Sequence, residues 1–347
     1  MSVLEPIIVR PDRKLAFQKT DRRIAVVASD TSGMKETAFG SIETSRSVCD
    51  ALKSRYHRVD FYEVTTEDEL RRVVESNPDL VVICVKYIIE KEQNQKIWLS
   101  DYFSRYGIPF TGSDRATLKF DSDKSKAKTV LQNSNIATAR FFLARPDHVQ
   151  MEHELPLRFP VFIKPLDAAN GNGVDENSLA HDFAGYQAKV LDVFTTYGVP
   201  ALVEAVLPGR EFTVAILDGA GSGARLVMPV EIVVPENKNG DRILGCSEKS
   251  ANQERLQAVA EPTFSAVSSL AVDAFTVLGA RDFGRIDIKM DAKGVPHFIE
   301  ANLVPGMTPE TSYFPRACAI NRGMTYSEVV ARIAEVALSR ADLVTTH

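Results

Sequence analysis

The stretch GRIDIKMDAKGVPHFIEAN, Gly284–Asn302, decides how the C-terminal half of this 347-residue chain folds. It contains two runs of alternating apolar and polar residues, a pattern typical of β-strands with one buried face. Lys293–Gly294 lies between the runs and suits a two-residue turn. Such a turn sets Asp287 directly opposite Glu300. The sequence therefore predicts a β-hairpin with one polar and one apolar face.

The polar face of this hairpin would also pair Arg285 with Asn302. Together with Asp287 and Glu300, Asn302 offers the hard oxygen ligands that Mg²⁺ prefers, within a few ångströms of one another. An ordinary solvated hairpin face is the alternative. The apolar face is predicted to pair Ile286 with Ala301, Ile288 with Ile299 and Met290 with His297.

Three further features of the sequence, besides the hairpin, suit a binding site. Pro305–Gly306 follows it and can present backbone N–H groups to an anion. Lys164 and Glu204 each interrupt an apolar strand, where an unpaired charge costs several kcal/mol. Each should therefore meet the other or a ligand, although Lys164 alone also suits a strand-end lysine that reaches water. Gly171 and Gly173 form a loop that suits either a simple turn or a phosphate cradle.

Composition narrows the class of protein. The formal charge is −5, and no basic stripe with interleaved aromatic residues appears, which argues against nucleic acid as a partner. The spacing of the four cysteines matches no metal site, so buried reduced thiols are expected. Without a signal-like start or a run of about 18–20 apolar residues, we expect a cytoplasmic protein with no membrane contact.

The order of elements indicates an N-terminal α/β unit and a mixed C-terminal part. Three strands that alternate with helices predict a parallel sheet. The strands are expected from Arg23, at Val59–Val64 and at Leu80–Val85, and the helices at Ser41–Tyr56, Glu67–Ser76 and Gln93–Tyr106. The later elements expected before the hairpin are strands ending at Pro165 and at Ala201–Leu207, Glu211–Leu217 and Leu226–Val234, helices at Leu179–Phe194 and Glu254–Leu278, and a loop at Pro235–Lys249. A last helix is expected at Tyr326–Leu338.

Taken in order, six motifs resemble the D-alanine–D-alanine ligase branch of the ATP-grasp family: FTGS, FDSDK, FPVFIKP, LVEAVLPGREFTVAIL, GRIDIKMD and IEANLVPGMT. The resemblance runs from about Val26 to Leu338. It implies a three-lobed α/β and α+β fold with two mixed lobes that clamp ATP. The implied domains are an extension at 1–20, an N-terminal α/β substrate domain at 21–115, a central lobe at 116–220 and a C-terminal lobe at 221–347, which carries the metal and catalytic site.

The resemblance also assigns roles to single residues. Lys124 and Lys164 match the phosphate-binding lysines of the family. Glu204 through Leu207, which include Ala205, match the segment that contacts adenine, and Glu211 matches the glutamate that binds the ribose. Lys249 matches the lysine of the loop that closes over ATP. Asp287, Glu300 and Asn302 match the magnesium ligands, while Arg285 and Gly306 match the pair that steadies the tetrahedral intermediate. Thr311 and Ser312 match the contact to the acceptor carboxylate.

The resemblance weakens where the substrates would bind. The HGxxGED-like segment of the family is replaced by YIIEKEQNQK, with Glu90 near the histidine position and Gln95 near the glutamate position. Glu36 or Glu43 stands where a glutamate usually faces the first amino group. The serine and tyrosine of the closing loops become Asn170 and Ser250. The first-substrate pocket is therefore predicted to be remodelled.

Together these features predict an ATP-dependent carboxylate–amine ligase that joins amino-acid or other carboxylate substrates through an acyl phosphate. Two Mg²⁺ ions, which Mn²⁺ can replace, and a homodimer are implied by the resemblance. One alternative is a D-alanine–D-alanine ligase of cell-wall synthesis. Others are a non-catalytic ATP-binding regulatory or assembly protein and a phosphotransferase that stops at the acyl phosphate.

Overall fold

The computed structural model describes residues 19–31, 38–90, 95–146, 151–167, 171–221, 223–235 and 254–345. The chain begins as an α/β unit whose elements are β1 (Thr20–Ala28), α1 (Ile42–Lys53), β2 (Tyr56–Glu63), α2 (Glu67–Glu75) and β3 (Leu80–Ile83). The strands form a parallel sheet in the order β2-β1-β3. This confirms the predicted parallel sheet with crossover helices.

The helices of this unit begin at capping residues. Ser41 accepts a hydrogen bond from the Thr44 N–H at the start of α1, and Thr66 forms a capping box with Glu69 at the start of α2. These contacts satisfy N–H groups that the first helical turn leaves without partners. Capping therefore fixes where both crossover helices start.

The helix predicted from Gln93 is wrong over its first turns. The chain instead forms an antiparallel pair, β4 (Tyr87–Glu90) and β5 (Gln95–Trp98), before the short helix α3 (Leu99–Arg105). β-branched and aromatic residues favour strands, and the rings of Tyr87 and Trp98 lie 5.3 Å apart across the pair. Cross-strand packing therefore outweighs helical spacing in this segment.

The middle of the chain forms a smaller mixed unit, with α4 (Arg115–Ser122), α5 (Lys124–Asn133), β6 (Phe141–Ala144), β7 (Val161–Pro165), β8 (Leu179–Ala180), α6 (Phe183–Tyr197) and β9 (Ala201–Ala205). Its four-stranded sheet has the order β6-β9-β7-β8. The helix predicted from Leu179 begins four residues later, because Asp182 caps it through the Gly185 N–H and the preceding residues pair with β7.

The last part of the chain carries the main sheet, formed by β10 (Glu211–Leu217), β11 (Leu226–Val233), β12 (Arg255–Ala258), α7 (Thr263–Val277), β13 (Phe283–Met290), β14 (Pro296–Asn302), α8 (Tyr313–Arg322) and α9 (Tyr326–Thr345). The strand order is β12-β11-β10-β13-β14. The predicted helix from Glu254 is wrong at its start, since β12 pairs with β11 and the helix begins only after Pro262. β10 belongs to this sheet although it precedes residue 220, and the domain limits stay a prediction.

The decisive hairpin forms with two compensating differences from the predicted register. Arg285 pairs with Asn302 and Asp287 with Glu300, as expected. The pairing then shifts, so that Ile288 lies opposite Phe298 and Met290 opposite Pro296. The predicted pairs of Ile288 with Ile299 and of Met290 with His297 are therefore wrong. A β-bulge inserts one residue, and the Asp291 N–H donates to the Val295 carbonyl across a three-residue loop in which Gly294 has φ 78°.

A continuous core joins the N-terminal unit to the main sheet. The ring of Phe283 lies edge-on to Phe39 at 6.0 Å and to Phe314 at 5.9 Å. Such edge-to-face pairs add about 0.5–1.5 kcal/mol beyond buried area. The three described cysteines, Cys49, Cys84 and Cys318, are buried free thiols as predicted, and no described helix is long and apolar enough to span a membrane.

Candidate active site

Three buried charged side chains form what we term the lysine cluster: Lys128 on α5, Lys164 on β7 and Glu204 on β9. Lys128 Nζ lies 2.6 Å from Glu204 Oε1, and Lys164 Nζ lies 2.7 Å from Glu204 Oε2. β7 and β9 are neighbours, and Phe162 is the residue opposite Glu204, so Lys164 reaches the carboxylate diagonally on the same face. The predicted partnership of Lys164 and Glu204 is therefore present, with Lys128 as a third member.

The lysine cluster carries one more positive than negative charge. Burial alone would raise the pKa of Glu204, but the ion pairs with Lys128 and Lys164 hold it at about 2. Burial lowers the pKa of Lys128. For Lys164 the lowering by burial is outweighed by the combined attraction of Glu204, Glu300 and Glu211, and its pKa is raised. One carboxylate cannot neutralise two ammonium groups in a site of low polarity. The cluster is thus an anion site that lacks one negative charge.

Lys128 was missed in the sequence, although a signal for it existed. It follows Lys124 by four residues, a spacing that places both side chains on one face of α5. Its ammonium also donates to Thr138 Oγ1 at 2.7 Å and to the Phe298 carbonyl at 3.3 Å, so it joins the cluster to the hairpin. Lys124 makes a second connection, with its Nζ 3.5 Å from Glu300 Oε2.

The polar hairpin face, formed by Arg285, Asp287, Glu300 and Asn302, is held by a dense set of hydrogen bonds around Asp287. Oδ1 accepts from Thr213 Oγ1 at 2.6 Å and from Arg285 Nε at 3.0 Å. Oδ2 accepts from Arg285 Nη2 at 3.0 Å and from Asn302 Nδ2 at 3.1 Å. Arg285, the predicted catalytic arginine, is therefore hydrogen-bonded to Asp287, a predicted metal ligand.

Arg285 is buried, and two groups besides Asp287 shape its surroundings. Burial alone would lower its pKa, but the Asp287 carboxylate raises it, so the guanidinium stays charged. Its Cζ lies 5.4 Å from the centre of the Tyr313 ring, a cation–π distance. The Tyr313 hydroxyl in turn donates to Glu254 Oε1 at 2.8 Å. Burial and this carboxylate raise the pKa of Tyr313.

The donor set fits a cation that brings oxygen ligands of its own. Within the described ranges, no group of three or more His, Cys, Asp or Glu side chains could hold a metal. The hairpin instead offers two carboxylates, Asp287 and Glu300, and the Asn302 amide. Mg²⁺ binds through one or two carboxylates together with phosphate oxygens. The face therefore suits a metal that arrives with a nucleotide.

The loop that contains Gly306 is anchored on three sides. The Met307 N–H donates to the Phe39 carbonyl at 2.8 Å, and the Met307 carbonyl accepts from the Tyr326 hydroxyl at 2.9 Å. Thr308 Oγ1 lies 3.0 Å from Thr44 Oγ1 of the N-terminal unit. A Cβ at Gly306 would lie 2.9 Å from Ser312 Oγ, so a larger residue would displace this hydroxyl. The anchoring fixes the predicted oxyanion N–H.

Thr311 and Ser312 lie at the start of α8. Ser312 Oγ accepts from the Thr308 N–H at 2.9 Å and makes no capping bond to the helix. The first N–H groups of α8 therefore lack a side-chain cap, and such groups attract anions. This position suits the predicted contact with an acceptor carboxylate.

The predicted nucleotide residues on β9 and β10 are also located. The Glu204 carboxylate pairs with Lys128 and Lys164. β9 ends at Ala205, so residues 206–208, which include Leu207, are not part of a strand. Glu211 begins β10 and accepts from Lys289 Nζ at 2.9 Å. Adenine and ribose contacts at these residues stay predictions.

The predicted first-substrate residues are less favourably placed. Glu90 accepts from the Glu67 N–H at 3.1 Å, and within the described residues this capping of α2 is its one hydrogen bond. Glu43 lies exposed in the first turn of α1. Other predicted site residues fall outside the described ranges, namely Glu36, Asn170, Lys249 and Ser250. Their roles stay predictions.

An ion pair that the sequence did not reveal joins the N-terminal unit to the hairpin. Lys86, just beyond the end of β3, is 5% exposed, and its Nζ lies 3.0 Å from Asp121 Oδ1 on α4. Asp121 Oδ2 accepts from the Leu303 N–H at 2.7 Å, directly after Asn302. The carboxyl ends of parallel strands commonly line ligand crevices. Lys86 therefore marks the boundary between the predicted substrate end and the hairpin.

Comparison with known proteins shows which family the chain resembles. Residues 130–335 match the family model described as D-ala D-ala ligase C-terminus. A D-alanine–D-alanine ligase of Methylacidiphilum infernorum is 31% identical over 324 residues, covering 92% of this chain and 96% of the relative. The uncharacterized protein y4sG of Sinorhizobium fredii is 30% identical over 67% of this chain and 68% of its own length.

A solved structure gives the same fold. The D-alanine–D-alanine ligase of Bacillus anthracis complexed with ATP aligns with a TM-score of 0.72 at 20% identity, covering 93% of this chain and 99% of that one. The fold and the sequence matches define an ATP-dependent, ADP-forming ligase of the ATP-grasp class. The chain belongs to the D-alanine–D-alanine ligase family. The predicted family, fold class and enzyme class are thus confirmed.

Proposed function

We propose that this ligase joins two amino-acid substrates through an acyl phosphate, and that its first-substrate pocket differs from that of a cell-wall D-alanine–D-alanine ligase. The observation that carries the proposal is Arg285, a buried cation on the hairpin beside Asp287 and over the ring of Tyr313. Binding ATP alone needs no arginine aimed at a reaction intermediate. A non-catalytic nucleotide-binding role would leave this residue without a purpose.

Activation begins when a donor carboxylate oxygen attacks the γ-phosphate of ATP and ADP leaves. Catalysis of such a transfer rests on positioning and on charge stabilisation. In the proposal, Lys124 and Lys164 bind phosphate oxygens, and the lysine cluster receives the negative charge that it lacks. Since Glu204 fixes the Lys164 ammonium at 2.7 Å, that donor is oriented before the nucleotide arrives.

Asp287, Glu300 and Asn302 would hold the two Mg²⁺ ions that the family resemblance implies, and Mn²⁺ would substitute for them. These ions would neutralise the charge of the phosphates. Arg285 now occupies both oxygens of Asp287. For Asp287 to bind a cation, at least one of its present donors, Arg285, Thr213 or Asn302, must release an oxygen. If Arg285 does so, its guanidinium becomes available to a different anion.

Coupling follows when the amine of the acceptor attacks the acyl carbon. Arg285 and the Gly306 N–H would stabilise the tetrahedral oxyanion until phosphate leaves, an interaction typically worth about 2.7–4 kcal/mol per donor. Thr311, Ser312 and the first turn of α8 would hold the acceptor carboxylate. Because acyl phosphates hydrolyse readily, the site must also exclude water during this step.

D-alanine is the specific alternative for both substrates. It is favoured by the names of the relatives, which include the ligase of Methylacidiphilum infernorum. The replaced first-substrate motif, in which Glu90 accepts from the first N–H of α2, favours a different donor. Both possibilities use the same nucleotide and hairpin residues.

The test is phosphate release from ATP and Mg²⁺ with D- and L-amino acids supplied singly and in pairs, together with mass detection of products. A condensed product that depends on the amino acids supplied would support the proposal and identify the substrates. D-alanine alone suffices if the cell-wall alternative is correct. An acyl phosphate that accumulates without any amine would favour simple phosphotransfer, and no stimulation by any amino acid would contradict the proposal.

A homodimer and a cytoplasmic location complete the proposal. The homodimer rests on the family resemblance, and the cytoplasmic location is the expectation from the pattern of the sequence. Light scattering coupled to gel filtration distinguishes a dimer of this 38.3 kDa chain from a monomer. A single monomeric species across the working concentrations would contradict the dimer.

A further inference from the structure

Glu254 is a buried carboxylate whose charge the described part of the chain does not balance. It is 7% exposed. Oε1 accepts from the Tyr313 hydroxyl at 2.8 Å, while Oε2 is buried and receives no hydrogen bond from the residues that the structure describes. An ionised carboxylate buried without a donor or counter-ion costs several kcal/mol. Its free oxygen is therefore suited to a ligand with positive charge.

The carboxylates of β10 and of the polar hairpin face already lie beside cations. Asp287 is bound by Arg285, Glu300 lies beside Lys124, and Glu211 accepts from Lys289. In contrast, Glu254 forms no ion pair with any described lysine or arginine. A cation that enters this part of the site is therefore attracted most strongly to Glu254.

The position of Glu254 indicates which cation this is. Tyr313, which holds its Oε1, is the first residue of α8 and follows Ser312, where the acceptor carboxylate is proposed to bind. Arg285, the proposed oxyanion donor, lies over the Tyr313 ring, with its Cζ 5.4 Å from the ring centre. An amino acid held by its carboxylate at the start of α8 carries its ammonium group a few ångströms away, between these residues.

We propose that Glu254 binds the ammonium group of the acceptor amino acid and removes one proton from it before coupling. This inference rests on the proposed amide-bond formation. An ammonium has no lone pair, so it cannot attack the acyl carbon until a base takes a proton. General bases of this kind contribute about 10²–10⁴-fold to rate.

The protons balance as follows. Glu254 Oε2 takes one proton from the ammonium, and the nitrogen lone pair then forms the C–N bond at the acyl carbon. The carbonyl electrons move to oxygen, opposite Arg285. When they return, the C–O bond to phosphate breaks, and the departing phosphate carries off the second nitrogen proton. Glu254 releases its proton to water when the product leaves.

Hydroxylamine separates this role from a structural one. It is largely uncharged at neutral pH, so it traps an acyl phosphate as a hydroxamate without a base. Glu254→Gln keeps the size of the side chain and the acceptor for Tyr313, and Glu261→Gln on the loop before α7 is the matched control. Both purified variants are assayed with the donor and acceptor found by the phosphate-release panel, and separately with donor and hydroxylamine.

Glu254→Gln is expected to form hydroxamate within about two-fold of wild type, while kcat/KM for the acceptor amino acid falls by about 10²-fold. Its coupling rate should also recover as pH rises from 7 to 9, because more of the acceptor is then neutral. Among the described residues, Tyr313 contacts Glu254, and Arg285 and Asp287 follow beyond the Tyr313 ring. These three residues are the same in wild type and in Glu254→Gln. Glu261→Gln should match wild type in both assays.

Unchanged coupling in Glu254→Gln would overturn the inference. An equal loss in both assays would also overturn it, since Glu254 would then support the fold or the first step. If Glu254→Gln does not fold, as judged by circular dichroism, Glu254→Asp replaces it, and the same selective loss of the acceptor reaction is expected. A wild-type enzyme that forms hydroxamate but no amide with any amino acid would contradict the proposed amide formation itself.

Discussion

The lysine cluster and the polar hairpin face are adjacent in the site, yet their charges are balanced in different ways. In the lysine cluster, one carboxylate serves two ammonium groups at 2.6 and 2.7 Å. On the hairpin, one guanidinium covers both oxygens of one aspartate at 3.0 Å. The cluster therefore carries an unmet positive charge, whereas the Arg285–Asp287 pair is internally neutral.

This difference in charge balance indicates how each region binds its ligand. The lysine cluster is preorganised, so an anionic phosphate adds the missing charge without rearrangement. Asp287 must give up a hydrogen bond from Arg285, Thr213 or Asn302 before it binds a cation, and loss of the bonds from Arg285 would release the arginine that coupling requires. We infer that binding of metal and nucleotide at one region prepares the catalytic group at the other.

The largest expected effect comes from breaking the lysine cluster. Glu204→Ala leaves two buried ammonium groups together, and loss of one partner of a buried ion pair costs about 3–5 kcal/mol. The free energy of unfolding from urea titration measures this loss. Asp342→Ala is the control, since it breaks the exposed pair with Arg22, worth less than about 1 kcal/mol. Equal stability of the two variants would show that the cluster is not the preorganised unit we describe.

Arg285→Ala tests the other side of the comparison. Transition-state stabilisation in the coupling reaction should fall by about 2.7–4 kcal/mol, about 10²–10³-fold in kcat, while ATP binding is retained. Removal of the guanidinium also removes one hydrogen bond from each oxygen of Asp287, so Mn²⁺ should bind the nucleotide-free variant at least as tightly as wild type. Electron paramagnetic resonance measures the bound Mn²⁺. Activity equal to wild type would remove the proposed mechanism.

Acid should weaken the lysine cluster. The pKa of Glu204 is held at about 2, below its ordinary value of 4.5. Its stabilisation is therefore complete above about pH 4.5 and is lost as pH falls toward 2, a change on the order of 3 kcal/mol. Urea titrations between pH 6 and pH 2.5 measure this slope in wild type and in Glu204→Gln. A slope that is equally steep in Glu204→Gln would mean that other carboxylates cause it.

The smallest effect is expected at the anchor of the Gly306 loop. Tyr326→Phe removes the hydrogen bond to the Met307 carbonyl, at a cost of about 0.5–1.5 kcal/mol. The loss should appear in kcat for coupling and leave the affinity for ATP unchanged. Tyr62→Phe on β2 is the control, because its hydroxyl bonds to no other described residue. A fall in ATP affinity instead would place the loop in the nucleotide site.

Strand register explains how much of the site the sequence revealed. Asp287 and Glu300 lie on adjacent strands with a period of two, so their pairing could be predicted without the fold. The predicted two-residue turn was nevertheless wrong, and the bulge between Asp287 and Ile288 restored the correct pairs. A bulge depends on packing against a neighbour, here the bridge from Thr138 to Phe298, and alternation alone does not reveal it.

The missed residues depend on contacts between distant segments. Glu254 was assigned to a helix, but its strand neighbours pair with β11 and its carboxylate meets Tyr313, 59 residues away. Lys86 meets Asp121 only in the folded chain, because the two residues lie in separate elements. No local pattern encodes either contact. Glu36 and Lys249 lie outside the described ranges, so their roles stay predictions.

The most direct test of the account is transfer of oxygen from the donor to phosphate. The donor amino acid is labelled with ¹⁸O in its carboxylate, and the released phosphate is analysed by mass spectrometry during coupling. The account predicts one ¹⁸O atom in each phosphate released, because the carboxylate oxygen that attacks ATP leaves with the phosphate. Unlabelled phosphate, formed at the same rate as the amide product, would contradict the acyl-phosphate mechanism.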